Sequence, residues 1–514
     1  MVTRTSFLAS FLIAVVVAIV VYTSAAENSL VDSDLRIIFA TEDTNSTSSI
    51  INNHALYHGS LIPLQLSDIV GFFCAALGLI IAAGGGIGGG GILVPIYILI
   101  LGFLPKHAIP LSNVTVLGGA VASTLQNMRK RHPTADRPLI DWDLIVAMEP
   151  PTVAGALIGA NLNKILPEAV IAVMLSLLLS FTAYATLKKA RIMHQKETEK
   201  MRKSQAVGTL NEYLLLHDNP PIEHEESVCL VSNNTSSIHH CHQPIHFEQD
   251  CESEDERSIE DDLPEFGDPI TLSYITEEER HPKARNVILI FVMFSVVLII
   301  NILKGGGGFQ SPVGISCGSS SFWCAQGLIL VWIFFISWRG RRFLLKDTDR
   351  KIEAGYIYLD EDVMWDKKST IRYPLISTLA GCFAGMFGIG GGIIKGPLML
   401  AMGIHPAVAS ATSSCMILFT SFTATTTFSV YGLMIPDYAI ACSILGFGAT
   451  YLGQTFMSSI IANSNRNSYI AFSIGMVVLL SAILMTLEFV LQLASGEKEE
   501  VGGICGNHVN EHPS

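Results

Sequence analysis

Gly84-Gly85-Gly86-Ile87-Gly88-Gly89-Gly90-Gly91-Ile92-Leu93-Val94-Pro95 decides how this chain is read, because it is written twice. The second version is Gly388-Ile389-Gly390-Gly391-Gly392-Ile393-Ile394-Lys395-Gly396-Pro397. Gly86, Ile87, Gly88, Gly89, Gly90, Ile92 and Pro95 each recur 302 positions later. Glycine costs about 1 kcal/mol in a helix interior, and hydrocarbon offers no water to a freed backbone group. Such clusters inside apolar stretches persist where unwound backbone has a use, and paired breaks in two halves point to a transporter's binding site.

Composition agrees. Half of the 514 residues are hydrophobic, 15% are charged and the mean hydropathy is +0.45, the signature of a chain with many membrane-length apolar runs. The net charge of -13 comes from a hydrophilic insert, densest from Glu248 to Glu279, so nucleic acid is not an expected partner. The insert also holds His224, Cys229, His239, His240, Cys241, His242, His246 and Cys251. Their spacing fits no zinc pattern, so a disordered loop is the better reading and no metal or cofactor is expected. No nucleophile, base and oxyanion constellation suggests an enzyme.

Arg4, the apolar run Phe7 to Val21 and Thr23-Ser24-Ala25-Ala26 predict that residues 1–26 are a signal peptide or an N-terminal membrane segment. Residues 27–65 are then extracytoplasmic, with Asn45-Ser46-Thr47 a glycosylation acceptor, and the secretory pathway leads to the plasma membrane or an endomembrane. Basic residues mark three cytoplasmic stretches: Arg129 to Arg137, Lys188 to Lys203 and Arg339 to Lys351.

These marks predict an all-α integral membrane protein of two inverted five-segment repeats with glycine-broken helices, about 10–12 transmembrane segments in all. The repeats cover 66–187 and 372–492, separated by an acidic cytoplasmic loop 188–285, two linking helices in 286–338 and a cytoplasmic loop 339–371, with a tail 493–514. Residues 90–104 and 391–404 count as crossings, although re-entrant hairpins leave the parity unchanged.

A nest of freed N–H groups and the positive end of the half-helix that follows favour a small anion. The substrate site is therefore expected at Gly88, Gly89, Gly90 and Pro95 and at Gly390, Gly391, Gly392 and Pro397, with the prolines suited to a helix's first turn. Ser112, Asn113 and Thr115 follow the first break, and Thr412, Ser413 and Ser414 the second at an offset of 300, as uncharged donors. Thr420 to Thr427 continue the second cluster, lining a pathway or only touching neighbours. Lys395 is expected to attract the anion or to snorkel. Glu149 is a proton-coupling candidate or an interfacial residue, and Cys317 with Cys324, in or beside the loop 304–321, are a candidate disulfide or two unpaired cysteines at a helix mouth.

The two glycine motifs, the Ser/Thr cluster after each, the Gly155 and Gly448-Ala449 helices and the hydrophilic split resemble the sulfite exporter TauE/SafE family over residues 66–187 and 286–492. That resemblance implies a multi-pass carrier of sulfite, sulfonates or related organic anions, directed out of the cytoplasm. The partners are then a small anionic substrate and the lipid bilayer. The rival reading is a membrane scaffold or sorting receptor, binding a cytoplasmic protein through residues 204–285.

Overall fold

A computed structural model describes residue 61 and residues 64–83, 88–133, 135–216, 269–358 and 362–463, with scattered positions between 472 and 490. The N-terminal segment with Asn45, residues 84–87, most of the insert and the tail lie outside the described residues. The chain divides into one unit of residues 1–195 with 267–514 and a second of 196–266, of which only the distal turns of one helix are described. Apart from the extent of that helix, all that follows concerns the first unit.

The described residues are almost wholly helical. In order they form α1 (Leu66–Ala83), α2 (Gly90–Leu99), α3 (Pro105–Asn127), α4 (Trp142–Ile165), α5 (Glu168–Leu216) and α6 (Pro269–Glu279). There follow α7 (Ala284–Lys304), α8 (Ser320–Glu353), α9 (Ser369–Phe387), α10 (Gly392–Ala401), α11 (Pro406–Val430) and α12 (Pro436–Asn463). Local chemistry sets the starts. Pro105 and Pro406 open α3 and α11, where a missing N–H is harmless, and the Asp141 carboxylate caps α4 by accepting from the Asp143 and Leu144 amides.

Eight described helices are long and apolar enough to cross a membrane. Their burial sorts them. The most apolar windows of α3 and α11 are 94% and 89% buried, against 28% for α8 and 33% for α1. So α3 and α11 form the centre, while Phe73 and Leu77 of α1 and Val331 and Phe334 of α8 stand exposed as a lipid-facing surface.

The helices α3 and α11 run in opposite directions. His107, at the start of α3, bonds the Leu433 carbonyl just past α11 at 3.1 Å, and His132, past the end of α3, lies 5.9 Å from His405 at the start of α11. Small residues let neighbours close on them. A Cβ on Gly155 or Gly159 of α4 would lie 2.0 Å from the carbonyl oxygen of Thr378 or Cys382 of α9, and Gly381 and Gly385 meet α4 in the same way. Such small-residue contacts let membrane helices approach closely.

The glycine-broken pairs are hairpins, the alternative to crossings at 90–104 and 391–404 that the sequence left open. α2 has 10 residues, about 15 Å and half the hydrocarbon thickness. It runs back along α1, since Gly78 faces Ile92 and Gly71 faces Leu101. Asp68 in the first turn of α1 and Phe103 after α2 both touch Tyr438, so entry and exit share one end. The second hairpin opens at the other end. Thr370, where α9 starts, accepts from Arg341 near the basic end of α8, and α11 starts at that same end beside His132.

Other expected boundaries move outward. α5 continues to Leu216 and α8 to Glu353, so the basic stretches expected as loops at 188–203 and 339–351 are helical. Lys, Arg and Glu are good helix formers, and charge does not end a helix. α6 lies inside the insert read as flexible, and ion pairs hold it: Glu278 with Arg350 at 2.7 Å, Glu279 with Lys351, and Arg280 with Asp136 at 3.1 Å. The candidate Cys317–Cys324 bond is not formed. Cys324 is a free, exposed thiol, while Cys317 is disulfide-bonded.

Candidate functional site

The two breaks have one backbone geometry. Gly89 and Gly391, the residues preceding α2 and α10, both have φ of +71°, a left-handed conformation open to glycine at no steric cost. Gly89 then accepts from the Ile92 and Leu93 amides, and Gly391 from those of Ile394 and Lys395. Neither half-helix has a side-chain cap, so its first N–H groups are left to other partners.

The breaks also touch each other. A Cβ on Gly90 would lie 2.6 Å from Ile389 Cα, and Ser112 Oγ donates to the Gly388 carbonyl at 2.8 Å. Val116 of α3 and Ile417 of α11 each pack against both Gly88 and Gly390. That match, with Pro105 and Pro406 as the starts, puts the two central helices 301 residues apart in register, one more than the offset read from their Ser/Thr clusters.

Beside the second break lies a closed polar triad. Lys395 Nζ donates to Glu149 Oε2 and to Thr420 Oγ1, both at 2.9 Å, and Thr420 Oγ1 donates to Glu149 Oε1 at 2.7 Å. Glu149 comes from α4, Lys395 from the first turn of α10 and Thr420 from α11, and the two charged side chains have no solvent exposure. Lys395 therefore does not snorkel, and Glu149 is not interfacial. Sequence reasoning weighed the two charges singly; the rule that intramembrane charges pair would have joined them.

The other expected donors are mostly engaged. Thr115 bonds the Leu111 carbonyl and shares a 2.7 Å hydrogen bond with Tyr97, Thr412 accepts from the Asp141 amide, and Ser414 bonds the Ser410 carbonyl. Ser413 Oγ and Asn113 Oδ1 are buried without partners. Pro95 lies in the second turn of α2 and not the first, because the left-handed Gly89 starts the helix early; Pro397 holds the equivalent place in α10. Tyr97 escaped the sequence reading, since lone hydroxyls in apolar helices usually bond their own backbone, and Thr420, read only as lining a pathway or touching neighbours, bonds both charges of the triad.

A cavity of about 10 Å³, room for one water, lies against Gly88 between Ser123, Ser414 and Thr450. A larger one of about 90 Å³ opens at the end bearing the basic loop, lined among others by His132, Arg137, Asp141, Lys283, Asp347 and Lys351. Its charges are cross-linked: Lys283 bonds Asp143 at 2.9 Å and Asp347 at 2.7 Å, and Arg137 bonds Asp362. Burial, then the neighbouring Asp143 charge, pushes the Asp141 carboxyl up to about 6.

Comparison with known proteins adds a name to this geometry. The family model for "Sulfite exporter TauE/SafE" matches residues 70–212 and 373–504, together more than half of the chain. Among curated Arabidopsis thaliana proteins, sulfite exporter TauE/SafE family protein 5 is 26% identical over 84% of this chain and 86% of its own. Family protein 2 is 27% identical, over 86% and 87%, and family protein 3 is 28% identical, over 82% and 77%. No solved structure matches the chain.

Proposed function

This chain belongs to the sulfite exporter TauE/SafE family, a family of multi-pass membrane transporters and not enzymes, and we propose that it carries sulfite, sulfonates or related small anions by alternating access. The observation that supports this most is the meeting of two left-handed glycine breaks, each followed by an uncapped half-helix, from hairpins that open at opposite ends. Freed N–H groups and two positive helix ends suit an oxyanion without burying more fixed charge. On this reading the two hairpins with their following helices are inverted repeats, and the 10 Å³ cavity beside Gly88 belongs to a form closed at both ends.

The triad fits a coupling role. A proton on Glu149 releases Lys395 from its counter-ion and frees the ammonium for the anion, so proton and substrate bind together. Ser413, buried with an unbonded hydroxyl, is the remaining donor of the cluster. Delivery through the secretory pathway, with Asn45 on the extracytoplasmic side, completes the proposal.

The test is flux of radiolabelled sulfite and sulfate in proteoliposomes, with and without a pH gradient. Saturable movement of sulfite that Gly391→Ala abolishes is the expected result. If neither anion moves under either condition, the proposal fails.

A further inference from the structure

The helix α11 carries a polar stripe that the central site does not account for. At 100° per residue, Thr420, Thr427 and Tyr431 fall within about 40° of one another around the axis. Thr420 belongs to the triad. Two turns on, Thr427 Oγ1 accepts from Asn301 Nδ2 of α7 at 3.1 Å, and one turn further the Tyr431 ring lies 5.5 Å from Lys304 Nζ.

Lys304 is a buried cation, 1% exposed, with no acidic partner among the described residues. Its ammonium donates to Gln326 Oε1 of α8 at 2.7 Å and lies 4.6 Å from the Phe322 ring centroid. A lysine offers only donors, so the glutamine must turn its oxygen to it and its amide nitrogen elsewhere. That nitrogen, Nε2, is buried without a partner in a residue only 6% exposed. Uncompensated buried charge and an unbonded buried donor are each costly, and here they sit on one pair of side chains. A single oxyanion bonded to both answers both costs.

We propose that Lys304 and Gln326 form a second anion-binding site, for small inorganic oxyanions of the sulfite and sulfate class, on the linking helices outside the two hairpins. It lies along the α11 stripe between the triad and the end of the molecule where Lys164 Nζ bonds the Tyr431 carbonyl at 3.3 Å. Its place as a station on the transport route rests on the proposed function; the binding does not.

The competing account is structural: Lys304 ends α7, where the helix carbonyls favour a cation. Gln326→Glu separates the two. It keeps the size of the side chain and supplies Lys304 with a permanent counter-ion, so a structural lysine is satisfied or better satisfied, while an anion site is occupied from within.

The experiment is equilibrium binding of radiolabelled sulfite and sulfate to the purified full chain in detergent, alongside thermal melting and proteoliposome flux. Gln326→Glu is expected to melt at or above the wild-type temperature and to bind one anion fewer per chain. Its flux should fall about tenfold or more, the weight of one charge-assisted hydrogen bond. Lys304→Met should lose the same anion, and Gly391→Ala should keep it. Equal anion binding by Gln326→Glu and wild type overturns the site. Loss of a bound anion in a protein that moves none supports the site and defeats the transport reading.

Discussion

Glu149 and Lys395 form an ion pair 2.9 Å long with no solvent exposure on either side chain, across 246 residues of sequence. Removing one partner leaves the other buried and uncompensated, at a cost of about 3–5 kcal/mol, whereas removing both leaves only a packing defect. Glu149→Gln and Lys395→Met should each lower the melting temperature sharply, and the double variant should recover most of the loss. A double-mutant cycle of melting temperatures checks this, and additive losses would deny the coupling. In flux assays Glu149→Gln should also lose its response to the pH gradient.

Gly89 and Gly391 share a φ of +71°, so alanine at either costs about 1–2 kcal/mol in the backbone alone. Their surroundings differ. The new Cβ meets Leu79 Cδ2 at 2.6 Å at Gly89 but nothing closer than 3.3 Å at Gly391. Both variants should lose anion flux, with Gly89→Ala the less stable of the two by thermal melting.

The α4–α9 seam should resist any added methyl. A Cβ at Gly155 or Gly381 would sit 2.0 Å from a backbone oxygen of the facing helix, which must move away. Gly155→Ala and Gly381→Ala should each destabilise by about 1–3 kcal/mol. Gly448→Ala, in α12 with nothing within 4 Å, should instead stabilise by up to about 1 kcal/mol. Melting curves in detergent read the contrast.

The Asp141 carboxyl titrates at about 6 in the fold against an ordinary 3.8, because burial and then the Asp143 charge disfavour its ionised form. A raised carboxyl pKa means that the folded state holds its proton longer than the unfolded chain. Its contribution to stability is then complete below about pH 4 and lost as pH rises through 6. Asp141→Asn retains a capping oxygen and removes the titration. Stability measured from pH 4 to 7 should decline less in the variant than in wild type.

Cys324 is an exposed free thiol, whereas Cys317 is disulfide-bonded. A thiol reagent should modify Cys324 in the folded, unreduced protein and reach Cys317 only after reduction. Mass spectrometry of labelled peptides decides it, and equal labelling of both without reductant would contradict the bonding.

Much of the architecture was legible because it is local. A run such as Ile288 to Ile300 has little choice but a buried or membrane helix, and Pro105, Pro406 and Asp141 announce their helix starts through their own dihedral and hydrogen-bonding chemistry. The glycine clusters announced broken backbone for the same reason. Where the reading missed, it asked local signals to answer a non-local question. Residues 90–104 are apolar enough to pass for a crossing, and only contacts such as Gly71 with Leu101 reveal a hairpin. The basic stretch after Trp338 reads as a loop by charge, yet α8 continues through it because charge does not unwind a helix.

By itself the amino-acid order determined that this is an all-helical membrane chain, that it carries one backbone break twice, and which few polar groups lie in its apolar segments. These follow from hydropathy and from glycine's lack of a Cβ, properties a residue keeps in any fold. Tertiary structure decided that the hairpins open at opposite ends, that the breaks touch, and that Glu149 finds Lys395 while Lys304 finds Gln326. A buried charge makes a partner necessary, but only the packing of distant helices decides which side chain stands within reach.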